Sequence, residues 1–242
     1  MAGRELPPTS PFAGDDGSAD PALAAALRAY ADGSGTVAAV VAALAGTRVL
    51  VPVLAELEAA DVVVHDGHEH TVDKEASAGI VALQAPDGRT ALPVFTSVDS
   101  LARWRTEARP VPSDVARAAL SAVQEGWEVM VVDPGGPVTV LVPRPAVWAL
   151  AQGQAWRPAV LGDEVDGDVR AAVAAALAPV PAVVAADAVP GTRAEVAVVV
   201  MLEAGLDRAG LDEVLARVNA ALAADETVAT RVDALELRLR AA

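Results

Sequence analysis

Residues 195–222, "EVAVVVMLEAGLDRAGLDEVLARVNAAL", change their hydrophobic period in mid-stretch. The run 195–202 is apolar on both faces, which predicts a strand buried at the centre of a sheet. Beyond it Leu211, Val214, Leu215, Val218 and Leu222 fall at i, i+3, i+4, i+7 and i+11, one continuous face of a helix over 208–224. Outward on the N-terminal side, the pattern predicts a helix over 168–178 and a strand over 181–187, with the central strand spanning 193–203. Outward on the C-terminal side, 232–239 alternates: Leu235, Leu237 and Leu239 point inward, and Glu236, Arg238 and Arg240 outward. An αββαβ unit with helices over one sheet face is an α+β module.

The preceding half follows similar rules. Residues 21–31 and 35–45 are Ala-rich and predict two short helices punctuated by "DGSG" (32–35). "TRVLVPVLA" (47–55) reads as a strand, and Pro52 places it at an edge or a bulge because proline cannot donate to a ladder. "DVVVH" (61–65) is a further strand candidate. "AGIVALQA" (78–85) and "TALPVF" (90–95) flank the turn "PDGR" and predict a hairpin. Thr96 and Asp99 have capping-box spacing before a helix carrying Leu101 and Trp104. Ser113 is the expected N-cap of the next helix, whose stripe is Val115, Ala119, Ala122 and Val123 and which ends at Gly126. "WEVMVV" (127–132) and "PVTVLV" (137–142) flank "DPGG" as a second hairpin, and Pro145 and Gly153 bracket the following helix.

The expected fold class is therefore α+β, in two small domains, each a mixed or antiparallel sheet with helices mainly on one face. The expected organisation is a flexible tail over 1–20, a first domain over 21–153, a linker over 154–166 and a second domain over 167–242. The longest apolar stretch, 35–55, contains Arg48 and Pro52 and changes period midway, so it reads as helix then strand and not as a membrane span.

Composition excludes several classes of function. The net charge is −15, whereas nucleic-acid backbones and anionic membranes demand clustered cations. The absence of cysteine removes disulfides, thiolate nucleophiles and Cys-based metal sites together. The first twenty residues hold no apolar signal region, so the expectation is a cytoplasmic protein.

Four stretches carry a family resemblance: "RVLVPV" (48–53), "LPVFTS" (92–97) with Trp104 just after, "DPGGP" (133–137) and "PAVWALAQG" (145–153). With these the chain resembles the SseB family, named for enhanced serine sensitivity, and among its members the Ala-rich, two-domain actinobacterial type. The resemblance implies an N-terminal SseB domain over about 20–153, a C-terminal one over 165–242, and a bacterial cytoplasmic protein with no agreed enzymatic activity or cofactor. It supplies no catalytic residues.

Two clusters are left as candidate chemistry. All three histidines, His65, His68 and His70, lie in "HDGHEH" (65–70). They could form a His₃ metal set with Asp66 or Glu69, or be a solvated polar loop titrating near neutrality beside Gly67. The second cluster is "ARWRTEARPVPSDVAR" (102–117), with Arg103, Arg105, Arg109 and Arg117 around Trp104. It reads either as a docking site for an anionic ligand or acidic partner, or as arginines paired within the chain with Trp104 in the core. "GSGTVA" (33–38) lacks the preceding strand of a dinucleotide fingerprint. "GDEVDGD" (162–168) lacks the spacing of a calcium loop. No G-x-S-x-G elbow exists.

The expectation is a non-catalytic protein, without cofactor, that binds a protein partner or a second copy of itself through an exposed strand such as 48–53 or 233–239. Metal binding through the histidines, and sensing or turnover of an anionic metabolite such as an amino acid by the Arg/Trp segment, are the alternatives.

Overall fold

A computed structural model describes residues 12–54, 81–85 and 87–242. The chain divides into two compact units, residues 1–143 with 147–155, and residues 144–146 with 156–242. Both combine helices with small mixed or antiparallel sheets, so the fold class is α+β.

In the first unit, α1 (Pro21–Ala31) starts on Asp20, whose carboxylate accepts from the Ala22 and Leu23 N–H groups. α2 (Val37–Leu44) starts on Thr36, whose hydroxyl accepts from Ala39. The intervening Gly35 is required by space: a Cβ there would lie 2.9 Å from Ala29 of α1. The glycines of "GSGTVA" thus serve a helix–helix corner. A mixed sheet follows, in the order β2 (Leu83–Gln84), β3 (Thr90–Val94), β5 (Val129–Val132), β6 (Val140–Val142). β3 and β5 run parallel, and both expected hairpins, β2–β3 and β5–β6, are antiparallel.

Between β3 and β5 the chain passes through α3 (Val98–Trp104), β4 (Arg109–Asp114) and α4 (Val115–Gln124). The burial of Val115, Ala118, Ala119 and Ala122 fixes the inner face of α4. Then comes α5 (Arg144–Ala151).

Three readings of this unit need correction. β1 (Arg48–Val53) is not an open edge: it pairs antiparallel with β4 along its whole length, and Leu50 exchanges backbone bonds with Phe95 on its other side (2.8 and 2.9 Å). The strand β4 was hidden in the sequence by its two prolines. Ser113 does not cap α4; Asp114 holds the N-cap position and makes no side-chain cap bond.

Strand parity explains the prolines. The backbone groups of Leu50 face Phe95, so those of its partner Pro112 face away from β1, and so do those of Pro110. Each β4 position that would expose an N–H on the outer side between Arg109 and Ser113 is thus a proline. Pro52 shares the parity of Leu50, so its missing donor costs the β1–β4 ladder nothing.

In the second unit β10 (Val196–Leu202) is central, with β9 (Val183–Pro190) antiparallel on one side and β11 (Leu235–Ala241) parallel on the other. The centrality of the 195–202 run is as its pattern predicts. α6 (Gly167–Leu177) and α7 (Arg208–Ala224) cover one face through Val169, Val173 and Leu177, and Val214, Val218 and Leu222. These meet Val196, Val198, Val200 and Leu202 in one core. The 160–165 stretch, read as linker, forms a short antiparallel pair, β7 (Val160–Leu161) and β8 (Glu164–Val165). An additional helix, α8 (Glu226–Arg231), sits between α7 and β11 and is capped by Asp225. No described helix is long and apolar enough to cross a membrane.

Candidate functional site

The site is built at the C-terminal ends of the parallel strands β3 and β5, where loops diverge and ligands are commonly bound in open α/β sheets. β3 runs into Phe95, Thr96 and Ser97; β5 runs into Asp133. Both oxygens of the buried Asp133 carboxylate are taken by one residue: Oδ1 accepts from the Thr96 N–H at 2.8 Å and Oδ2 from the Thr96 hydroxyl at 2.7 Å. The Asp133 carbonyl accepts from the Thr139 hydroxyl (2.9 Å) and the Gly136 N–H (3.1 Å), closing the turn between β5 and β6. Asp133 holds φ at +48°, a left-handed conformation that aspartate tolerates better than most residues. Burial raises its carboxyl above the ordinary range, opposed by the Thr96 bonds, the Ser100 hydroxyl and the Arg103 charge.

The sequence reading of Thr96 as a helix cap was therefore displaced. Ser97 caps α3 by accepting from the Ser100 N–H at 3.1 Å, which frees Thr96 for Asp133. An aspartate directly after a strand of four buried residues, VMVV, was the signal for this brace.

α3 then presents the Arg/Trp segment. Trp104, its last residue, is half-buried, with its ring 5.3 Å from that of Phe95 and tilted by 37°. On another side it meets the turn after β5: a Cβ at Gly135 would lie 3.6 Å from Trp104 Cδ1. The Arg105 guanidinium lies 5.0 Å from the Trp104 ring centroid, a cation–π arrangement. Arg103 sits in the last turn of α3, where a cation complements the helix dipole. Arg109 opens β4 and Arg117 lies in the first turn of α4.

All four arginines are exposed, and none forms an ion pair among the described residues. The other side of the brace contrasts with them. Arg48, at the start of β1, donates Nε and Nη2 to Asp15 (2.5 and 2.6 Å) and Nη1 to the Thr96 carbonyl (2.6 Å). That cation is fully engaged, and it pins part of the stretch read as a tail.

His65, His68 and His70 lie outside the described residues. Among the described residues no group of three or more His, Asp or Glu side chains is disposed to hold a metal. Within the acidic run 162–168, Asp166 caps α6 and pairs with Arg231 at 2.8 Å, and Asp168 pairs with Arg157 at 3.1 Å.

The sequence profile of the SseB protein N-terminal domain matches residues 23–149. The chain belongs to the SseB family. No curated protein and no solved structure matches it. The SseB match runs from α1 to α5, so it contains the Thr96–Asp133 brace, Trp104 and all four arginines. The motifs "LPVFTS" and "DPGG" meet at one point of this SseB domain: the first supplies Thr96, the second Asp133, and Trp104 packs beside the turn of the second.

Proposed function

We propose that this SseB-family chain is a non-catalytic, cytoplasmic binding protein, and that its first unit docks an acidic segment of a protein partner on the Arg103–Arg117 face. The observation that carries this reading is that four successive arginines form no ion pair with any described carboxylate in a chain of net charge −15. Arg103, Arg105, Arg109 and Arg117 are spread over the end of α3, the start of β4 and the first turn of α4. A spread of this kind suits an extended acidic peptide better than one small anion. Trp104, held by Phe95 and Gly135, supplies a rigid apolar contact between the charges, the type of anchor that dominates interface energetics. Against catalysis in this unit speaks the commitment of its buried carboxylate to the fold: both oxygens of Asp133 already accept hydrogen bonds from Thr96. The second unit, with its αββαβ order, we read as the family's C-terminal domain.

The test is a titration of purified chain with a Glu/Asp-rich peptide, followed by Trp fluorescence at two salt concentrations. Binding that weakens with salt and falls about tenfold in affinity on the double change Arg105→Ala and Arg109→Ala is expected, since charge steering and pairing are salt-dependent. Equal binding by wild type and variant, or binding independent of salt, overturns the reading. In the same experiment a set of free amino acids and dicarboxylates tests a small-anion site, and a response to these alone would replace the protein partner by a metabolite.

A further inference from the structure

We infer that β11 is a dimerisation strand, pairing antiparallel with β11 of a second copy of this chain in a register centred on Leu237. The inference rests on the second unit and is independent of the arginine face.

β11 is an edge: among the described residues it pairs with β10 alone. Parity tells which of its backbone groups are spent. The Ala234 carbonyl accepts from Val196 and the Ala242 N–H donates to Leu202, so even-numbered residues face β10. The N–H and C=O groups of Leu235, Leu237, Leu239 and Ala241 therefore point away from the sheet. Unlike β4, this edge carries no proline, and three of those four outward positions are leucines. Unprotected edges of this kind recruit another strand.

The other edge of the same sheet is not equivalent. On β9 the Ala188 N–H is already bonded to the Asp187 carboxylate at 2.8 Å, which Arg170 holds from α6. β9 also ends in Pro190.

Side chains then fix the partner and the register. Two copies related by a two-fold axis must place outward-facing residues opposite one another, so allowed registers differ by whole two-residue steps of pairing. Centred on Leu237, Leu237 faces Leu237 of the second copy and Leu235 faces Leu239, on the side of the sheet that carries the core. On the other side Glu236 faces Arg238 of the second copy, twice, so the ion pair that the two residues make within each chain at 2.5 Å is extended across the seam with matching signs. Centred on Glu236 instead, like carboxylates oppose each other. Centred on Arg238, two guanidinium groups do. Like charges directly opposite are destabilising in a sheet and opposite charges stabilising. Only the Leu237 register matches charge with charge and leucine with leucine. Leu239, 42 % exposed in the single chain, would be covered by Leu235 of the partner.

Sedimentation and light scattering of the full chain over a dilution series test the inference. A dimer is expected for the wild type. Leu239→Pro removes one outward donor at a position that β10 does not use, and is expected to raise the dissociation constant at least about tenfold, the loss of about 1.4 kcal/mol. Should that variant misfold by circular dichroism, Leu239→Lys serves in its place, because the side chain is exposed and the backbone unchanged. The register is read separately in a chain that has no native cysteine: oxidised Leu237→Cys is expected to cross-link as a dimer, and Arg238→Cys is not. A monomeric wild type, a dimer indifferent to both Leu239 variants, or cross-linking at 238 instead of 237 overturns the inference.

Discussion

The two units treat charge in opposite ways. The first keeps a buried carboxylate, Asp133, on the neutral donors of Thr96, while Arg103, Arg105, Arg109 and Arg117 stand exposed and form no ion pair among the described residues. The second pairs most of its arginines with its own carboxylates. Arg231 reaches Asp166 and the carbonyls of Arg157 and Pro158; Arg170 takes Asp187 in a two-pronged pair; Arg193 and Arg238 converge on Glu236; Arg217 pairs with Glu213 one turn away. The edges are reversed as well. β4 in the first unit is blocked by Pro110 and Pro112, whereas β11 in the second is open among the described residues. Each unit therefore leaves one kind of bonding capacity unspent: side-chain charge in the first, backbone hydrogen bonds in the second. Unspent capacity marks where another molecule can add free energy that folding has not already used.

The largest way to break this contrast is to remove the uncharged support of Asp133. Asp133→Ala strips the buried Thr96 N–H and hydroxyl of their acceptor, and is expected to destabilise the first unit by about 3 kcal/mol, the cost of stranding buried donors. Asp133→Asn, which keeps an acceptor, should cost less. The two also differ in pH response. Because burial raises the Asp133 carboxyl in the folded state, its contribution is fully present below the ordinary carboxylate range and declines as pH rises through the raised value. Chemical denaturation of the Asn variant across that range should show this decline removed.

A smaller loss is expected in the second unit from Arg231→Met. Arg231 and Asp166 are 15 % and 12 % exposed, so the pair is largely shielded. Removing the cation takes from Asp166 its nearest ion-pair partner, leaving the Asp168 N–H and the more distant Arg157, and takes a donor from two carbonyls, at a cost of about 2 kcal/mol, below the full penalty for a completely buried pair. Denaturation followed in the far ultraviolet would measure it. The double variant with Asp166→Asn should recover part of the loss, since the carboxylate left with Arg157 alone, at 3.6 Å, is then replaced by a neutral amide.

Much of this was legible in the sequence where one physical rule dominated. The 195–202 run and the 208–224 face were read correctly because burial on two faces and on one face leave distinct periods. "LPVFTS" and "DPGG" were legible as motifs but not as partners, since Thr96 fits a capping box and only the parallel pairing of β3 with β5 brings it to Asp133. β4 was missed because Pro110 and Pro112 argue against a strand unless both face outward, a fact of pairing parity that no local pattern carries. Glu236 was placed outward by alternation, correctly as to face. It is nonetheless 9 % exposed, because Thr192 and Arg193 close over it. The histidines lie outside the described residues, so their reading stays where the sequence left it.

Glu236 gives a third, finer test. The Thr192 N–H and then the Arg238 guanidinium lower its carboxyl from 4.5 to about 2. A depressed carboxylate contributes stability that is present above 4.5 and lost as pH falls toward 2. Glu236→Gln should flatten the acid limb of the stability curve of the second unit in that window and change little at neutral pH beyond the ion pairs themselves. An acid limb of unchanged slope would show that Asp166 and Asp187, also lowered by arginine partners, carry the acid sensitivity instead.

The smallest expected effect is the most informative about function. If the arginines of the first unit are held for an external partner, the fold does not use them. Arg105→Ala and Arg117→Ala should then each change stability by no more than about 0.5 kcal/mol, the range for exposed positions without specific partners. Among the described residues the Arg105 side chain has its contact with Trp104 to lose, and Arg117 has no ion pair. Removing positive charge from so acidic a chain should, if anything, raise repulsion slightly, so a small loss that shrinks with added salt is the electrostatic baseline. A loss well above this, insensitive to salt, would mean that these side chains brace the first unit as Arg231 braces the second. The contrast between spent and unspent charge would then disappear, and with it the argument that this face is kept for a partner.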